Sequence, residues 1–468
     1  MVAIDLFSGA GGLTEGFLSE GYKFVSHIEK DYWACETLKT RIMYYFLKEK
    51  NDIQTYYDYL KQLEDYGKVE EYRKKVYNKY PELQEYLNQT VLNKKFGEPA
   101  DDVDATDINT IIKLIKASMK KENVKKIDVI IGGPPCQAYS IIGRSRMKEK
   151  VKDDNRNYLF YYYRDIVDCF KPKMFIFENV PGIFTAMGGK IFKEIKNEFS
   201  KIGYELKTNR DGQEKECIKD SSQYGVYQTR KRVILFGYKK ELNYEYPDIK
   251  KYALKFDEEI STENAISDLK PLQPGKGEDY KLLKYTKKPE SEYQSYLRQD
   301  SIGIFNHKAR TINEKRDRRI YKIAIEKSEK NEQLCYADLP NILKTHKNQK
   351  SFSDRFKVHG KNEIPHTIVA HISKDGHYNI HPDKKQCRSL TVREAARIQS
   401  FPDNYIFEGP RTSQFMQVGN AVPPILSKAI AKALKALQWN VLKIGKENSI
   451  RKFVEDINKE AGQNIPAF

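Results

Sequence analysis

Short apolar runs at residues 2–6, 23–28, 127–131, 173–178 and 232–237 alternate with helical patterns at 13–20, 31–41, 108–120, 157–170 and 188–202. A chain that alternates in this way folds most simply by laying its strands parallel and crossing over through the helices. The pattern predicts an α/β fold with a mostly parallel sheet over roughly the first 240 residues. Ligands of such sheets bind beyond the carboxyl ends of the strands. The segments that directly follow the apolar runs are therefore where chemistry is expected.

The most telling of these segments is Gly132-Gly133-Pro134-Pro135-Cys136-Gln137-Ala138-Tyr139-Ser140. Its prolines fix φ, and a residue before proline is held extended, so Cys136 stands on a stiffened backbone at a strand end. Glu178-Asn179-Val180 follows another run, and Gln228-Thr229-Arg230-Lys231-Arg232 borders a third. All three could converge on one sheet edge. A free thiol has a pKa near ~8.5 and is little ionised at neutral pH, a fraction that nearby arginines would raise. A carboxyl such as Glu178, set between Phe177 and Val180, could stay protonated and donate a hydrogen bond. Thiol, acid and cationic clamp together suit addition to an electron-poor ring. Cys35, Cys169, Cys217, Cys335 and Cys387 lack such settings and read as packing residues.

Asp5-Leu6-Phe7-Ser8-Gly9-Ala10-Gly11-Gly12 joins the first strand to the first helix. Its glycines allow close backbone approach, and the helix start offers free N–H groups to an anion. The dinucleotide fingerprint fails because Thr14 stands where the third glycine would be needed. A cofactor carrying one carboxylate suits the loop better, with Glu29 at the next strand end placed for ribose hydroxyls.

Two stretches break the alternation. Residues 42–93 carry ten of the 32 tyrosines, with Tyr56, Leu60 and Leu63 at helical spacing, and read as an inserted helical pair outside the sheet. From 241 to 387 the pattern is irregular and basic: seven Lys/Arg against two acids between Lys308 and Lys322, and six against one between Lys344 and Lys361. This segment reads as a separate small domain. Helical spacing returns at 391–400 and in a last helix after Pro423-Pro424, with Leu426, Ile430, Leu434 and Leu437 on one face.

The net charge of +17 favours a polyanionic partner, although a lysine-rich codon bias would give the same excess. Six cysteines without a C-x-x-C pair argue against a disulfide framework or zinc ribbon and fit a reducing compartment. His359, His366, His371, His377 and His381 crowd near Cys387, but their spacing matches no standard zinc pattern, so no metal is expected. No run approaches ~20 apolar residues, so no membrane span is expected, and Val2–Leu6 reads as a strand rather than a signal peptide.

Taken in order, the motifs resemble those of the cytosine-5 DNA methyltransferases: DLFSGAGG at 5–12, Glu29, Asp107-Ile108, GGPPCQAYS at 132–140, RNYLF at 156–160, ENV at 178–180, QTRKR at 228–232, REAARIQSFPD at 393–403 and QVGNAVPP at 417–424. The resemblance covers nearly all of 1–240 and 388–435. It implies a Rossmann-like catalytic domain dependent on S-adenosylmethionine at 1–240, an irregular target-recognition domain at 241–387, a return to the catalytic domain at 388–440 and a tail at 441–468.

By the same resemblance Cys136 would attack C6 of a cytosine swung out of the duplex. Glu178 would engage N3 and the exocyclic amine, Arg232 the O2 edge, and Arg230 would support the site. Phe7, Gly9, Gly11, Gly12, Glu29, Asp107, Ile108, Pro134, Leu159, Asn420, Ala421 and Val422 would hold the cofactor. Lys30 stands where relatives often place an aromatic over the adenine, so Tyr32 or Trp33 would have to substitute. Residues 138–155 would form a mobile catalytic loop, with Gln137, Ser140, Arg144, Arg146 and Lys148 on DNA together with Thr367 and Ile368 of the recognition domain. The implied partner is double-stranded DNA, alongside a separately encoded cognate restriction endonuclease, and a monomer in the bacterial cytoplasm is expected. A tRNA-directed cytosine methyltransferase and a catalytically inactive DNA-binding regulator are the competing readings. The long basic segment disfavours the first, and the intact Cys136, Glu178 and Arg232 set disfavours the second.

Overall fold

The computed structural model describes residues 1–135, 159–209, 216–344 and 353–438. Its strands up to Lys239 are β1 (Val2–Leu6), β2 (Lys23–Glu29), β3 (Val91–Asn93), β4 (Lys95–Phe96), β5 (Ala105–Thr106), β6 (Val129–Gly132), β7 (Met174–Asn179), β8 (Tyr204–Lys207), β9 (Ile218–Asp220) and β10 (Lys231–Lys239). Eight of them form one sheet in the order β3-β2-β1-β6-β7-β10-β8, with β9 also on β10. The neighbours from β3 to β7 are parallel, whereas β10 runs antiparallel to β7, β8 and β9. The mixed α/β architecture with a mainly parallel sheet is as the alternation predicts.

Strands covered on both faces carry near-continuous apolar runs. Ile4, Val129, Ile130, Ile131, Phe175, Ile176, Ile234 and Leu235 are fully buried accordingly. Helices α1 (Gly12–Ser19), α2 (Tyr32–Glu49), α3 (Ile53–Gln62), α4 (Val69–Lys79), α5 (Pro81–Thr90) and α6 (Ile108–Lys121) precede β6, and α7 (Leu159–Phe170) and α8 (Lys190–Lys201) follow it. Asp31 caps α2 by accepting from the Ala34 amide at 2.8 Å, and Asp107 caps α6 through the Thr110 amide at 3.0 Å.

The expected helical pair at 42–93 is a larger unit. Helix α2 runs on to Glu49, three further helices follow, and the segment ends in β3, which pairs with β2 at the edge of the central sheet. The helices bury Tyr56, Tyr59, Leu60, Leu63, Val76 and Leu83 in a core of their own. That core is fixed to the distant return segment by Glu408, a fully buried carboxylate. It accepts from Thr40 at 2.7 Å, Tyr66 at 2.5 Å and Arg73 at 3.1 Å.

Downstream of β10, Tyr244, Tyr246, Ile249, Ala265, Tyr293 and Leu297 pack into the central core. A small third core gathers Ile320, Tyr321, Ala324, Ile325, Leu334, Tyr336, Phe356, Ile380 and Cys387. The chain then returns through helices Val392–Ile398 and Arg411–Asn420 and a last helix at 424–438, where Leu426, Ile430 and Leu434 are buried and Leu437 partly so. The return is pinned by buried arginines. Arg397 binds Asp268 and Asp403, Arg388 binds Glu394, and Arg393 donates to the carbonyls of Phe305, Pro402 and Tyr405. The five cysteines outside the 132–140 segment divide: Cys35, Cys217 and Cys387 are buried and Cys335 half-buried, but Cys169 is exposed on α7, contrary to its reading as a packing residue.

Candidate active site at the strand ends

Parallel strands β1, β6 and β7 deliver their carboxyl ends to one edge, and antiparallel β10 brings its amino end to the same place. Ile234 of β10 pairs with Glu178 of β7, which sets Arg232 beside that glutamate. The Arg232 Nε lies 3.0 Å from Glu178 Oε1. Burial is the dominant influence on both groups. It pushes the Glu178 carboxyl above the ordinary carboxylate range, against the pull of Arg232 and Arg230, and lowers the Arg232 guanidinium. The pair thus suits a carboxyl that carries a proton and gives it up to a bound base.

Gly133, just past β6, faces the acid. A Cβ there would stand 2.5 Å from Glu178 Oε2, so a bare backbone is what lets the carboxyl lie flat against the turn. Asn179 fixes the same turn by donating from Nδ2 to the Pro134 carbonyl at 3.4 Å, while its Oδ1 accepts from the Val180 amide at 2.8 Å. Cys136, Gln137, Ser140, Arg144, Arg146 and Lys148 lie outside the described residues. Pro135, the neighbour of Cys136, is the last described residue of this strand end.

Arg230 does not reach the edge. It is fully buried and donates to the carbonyls of Ile368 at 2.6 Å and Gly419 at 2.9 Å. Ile368 is likewise buried at 0 % exposure, so of the pair Thr367-Ile368 only half-buried Thr367 offers a side chain outward, and its hydroxyl donates to the Thr229 carbonyl.

Beside the acid lies the glycine loop. Gly11 is left-handed at φ 86° and opens α1 as its N-cap, and Phe7 adopts φ 58°. A Cβ on Gly9 would meet open space, whereas one on Gly12 would collide with the Val422 carbonyl oxygen. Val422 is buried, Ala421 half-buried and Asn420 exposed, so the return segment walls the start of α1. Tyr405 donates to the Ala10 carbonyl and ties the loop to that wall. The Glu29 carboxylate accepts from the Gly9 amide at 2.9 Å and the Asp31 amide at 2.8 Å, which aims it along the loop. Burial raises its pKa. Asp107 and Ile108 are half-buried at the start of α6, and Leu159 is half-buried at the start of α7.

The Lys30 departure leaves the aromatic question to geometry. Tyr32 is 51 % exposed and meets Trp33 edge to face at 5.0 Å, while Trp33 packs against Gly409. Phe7 instead packs on Phe96, at 4.9 Å between ring centroids, and Phe96 on Tyr162 at 5.7 Å. Phe96 and Tyr162 escaped the sequence reading. The first sits in a two-residue strand that shows no period, and the second in a tyrosine run that reads simply as helix.

Three of the crowded histidines are held by neighbouring side chains and backbone. His359 stacks on His366 at 3.7 Å and bonds Asn379 at 3.0 Å, His366 bonds the Tyr378 carbonyl at 2.8 Å, and His377 bonds Tyr321 at 2.8 Å. Among the described residues, no cluster of His, Cys, Asp and Glu is arranged to hold a metal, and no helix is long and apolar enough to cross a membrane.

Comparison with known proteins identifies the family of the chain. The family model for C-5 cytosine-specific DNA methylases matches residues 1–66 and 82–436. The chain is 55 % identical to the type II methyltransferase M.Bpa9945I of Bacillus paralicheniformis, over 93 % of this chain and 98 % of that one. It is 30 % identical to the type II methyltransferase M.DdeI of Desulfomicrobium norvegicum, over 99 % and 97 % respectively. Its fold is similar to a crystal structure of a prophage-encoded DNA modification methyltransferase described from E. coli, with a TM-score of 0.58 at 22 % identity over 94 % of this chain and 99 % of that one. The chain belongs to the C-5 cytosine-specific DNA methylase family and is a DNA (cytosine-5-)-methyltransferase.

Proposed function

We propose that the enzyme methylates cytosine within a short, specific duplex sequence through a covalent adduct between Cys136 and C6 of an extruded base. The observation that carries this reading is the Glu178–Arg232 pair, held against Gly133 three residues before Cys136. A stacked base exposes neither C5 nor C6, so the cytosine must leave the duplex, at about a few kcal/mol. The Cys136 thiolate forms a bond to C6. Glu178 passes its proton to N3, which neutralises the charge growing on the ring, and Arg232 holds O2. This electron flow makes C5 nucleophilic. After the transfer, the C5 proton goes to a base, the C6–sulfur bond breaks to release the Cys136 thiolate, the 5,6 double bond returns and N3 gives its proton back to Glu178.

The residues at the glycine loop fit S-adenosylmethionine: open space beside Gly9, free amides at the start of α1, and a carboxylate at Glu29 held by two backbone donors. When bound, it supplies the methyl group. Phe7, Gly9, Gly11 and Gly12 would hold its amino-acid part and Glu29 the ribose. Asp107 and Ile108 would face the adenine, with Pro134, Leu159, Asn420, Ala421 and Val422 closing the pocket.

The third core and its flanking loops, within the 241–387 segment, form the target-recognition domain in this reading. Thr367 lies at its border with the site, with Ile368 as buried backbone support. Gln137, Ser140, Arg144, Arg146 and Lys148 would contact DNA on the sequence argument alone. The kinship with two type II methyltransferases supports a modification role. We further infer a cognate endonuclease encoded separately and a monomer acting in the bacterial cytoplasm. Duplexes carrying 5-fluorocytosine test the reading, because they should trap a DNA adduct at Cys136 that Cys136→Ala abolishes. An active preparation that never forms one overturns it. Bisulfite sequencing of DNA exposed to the enzyme reports the sequence context.

A further inference from the structure

Three chain segments that serve different parts of the reaction meet at one buried side chain. Residues 228–232 lead into β10 and carry Arg232. Residues 365–370 leave the third core, where His366 bonds the Tyr378 carbonyl and stacks on His359. Residues 419–422 end the helix Arg411–Asn420 and wall the glycine loop at Gly12.

The first two segments are zipped together. The Thr229 amide donates to the Pro365 carbonyl at 2.9 Å, the Thr367 hydroxyl donates to the Thr229 carbonyl, and the Ile368 amide donates to Gln228 Oε1 at 3.1 Å. The second and third are pressed together, since a Cβ on Gly419 would collide with the Ala370 amide nitrogen. Arg230 joins all three through its bonds to Ile368 and Gly419. No carboxylate pairs with it among the described residues. Its Nε is buried without a partner among the described residues, so the guanidinium is held by the two carbonyls alone and depends on those backbone positions being where they are.

We propose that Arg230 is a positioning residue that makes the placement of Arg232 against Glu178 depend on the docking of the recognition segment 365–370. A cognate sequence seats that segment and sets the acid–guanidinium pair. A near-cognate sequence leaves it displaced, and the two carbonyls draw Arg230 and the start of β10 with them. Discrimination is then exercised in the chemical step as well as in binding. The inference rests on the proposed reading of this region as the recognition domain.

The test compares single-turnover methylation of the duplex sequence that the wild-type enzyme modifies, as mapped by bisulfite sequencing, with that of the same duplex carrying one substituted base pair. Arg230→Lys keeps the charge but cannot hold both carbonyls. We expect the ratio of cognate to mismatched rates to fall roughly tenfold, the effect of losing one charge-assisted hydrogen bond. Thr367→Val removes a link of the zipper and should lower the ratio in the same direction, and the double variant should show less than the product of the two effects. Equal slowing on both duplexes by Arg230→Lys would mean a merely structural role and overturn the proposal. Should that variant fail to fold, Thr367→Val decides alone, an unchanged ratio being the overturning result. A wild-type enzyme with no sequence preference would instead defeat the recognition reading itself.

Discussion

Arg232 and Glu178 stand side by side because two antiparallel strands place them there: the Nε–Oε1 separation is 3.0 Å, on neighbours β10 and β7. Desolvation raises the pKa of the carboxyl above its ordinary value, against the pull of that guanidinium. Glu178→Gln should therefore lower the single-turnover methylation rate about a hundredfold or more, while DNA affinity changes little. In the wild type the rate should fall as pH rises through a value above the ordinary carboxylate range, because only the protonated acid can donate. Rapid-quench rates across pH check both statements. A variant as fast as the wild type would remove Glu178 from the proton role.

Gly133→Ala should act on the same group from the other side. The clash falls on the carboxyl tip at 2.5 Å, and the next atoms, the Glu178 carbonyl oxygen and Cβ, are at 3.4 and 3.6 Å. The fold can thus survive while the acid is pushed off its mark. The expected outcome is a loss of about a hundredfold in turnover with a thermal midpoint close to that of the wild type.

Glu408 and Arg73 tie the helical insert to the return segment, and both are buried. Removing one partner strands the other charge, so Arg73→Met should destabilise the protein by about 3–5 kcal/mol. The Arg73→Met/Glu408→Gln pair should cost less than the sum of the single changes, because Glu408 is then no longer a stranded charge, although buried Glu36 still loses its Arg73 partner. Denaturant unfolding of the four proteins measures the coupling.

Asp5 lies buried at the end of β1, with Thr14 donating to Oδ2 at 2.5 Å and no donor to Oδ1 among the described residues. Burial raises its pKa to about 8. Between the unfolded value near ~3.9 and the folded one, the native state keeps a proton that the unfolded state releases, so this group's contribution is full below pH ~4 and is lost as pH rises toward 8. Asp5→Asn should flatten the fall in thermal midpoint across that interval. Parallel curves for variant and wild type would count against a protonated Asp5.

How much of this could be read from the chain follows from how far each signal extends. The apolar strands and their crossover helices announce themselves because each carries its own period, and Glu178 and Arg232 stand at strand ends that the period locates. Strands β3 and β8, with three and four residues, are too short to show one. The insert was legible as helical, but Tyr66 and Glu408 meet across 342 positions, and no local pattern reveals such a partnership. Arg230 and Arg232 are two residues apart in one motif, yet one lies sealed on carbonyls and the other at the edge. Tertiary packing alone separates their roles.

The reversal of β10 has a consequence for how far this enzyme tolerates change. Acid and guanidinium are aligned by ladder register rather than by the length of any connecting loop. Insertions beyond Lys239 leave that alignment alone, whereas deleting Val233 would turn the guanidinium to the opposite face of the sheet. Evolutionary drift can thus proceed downstream while the spacing of acid and guanidinium stays locked.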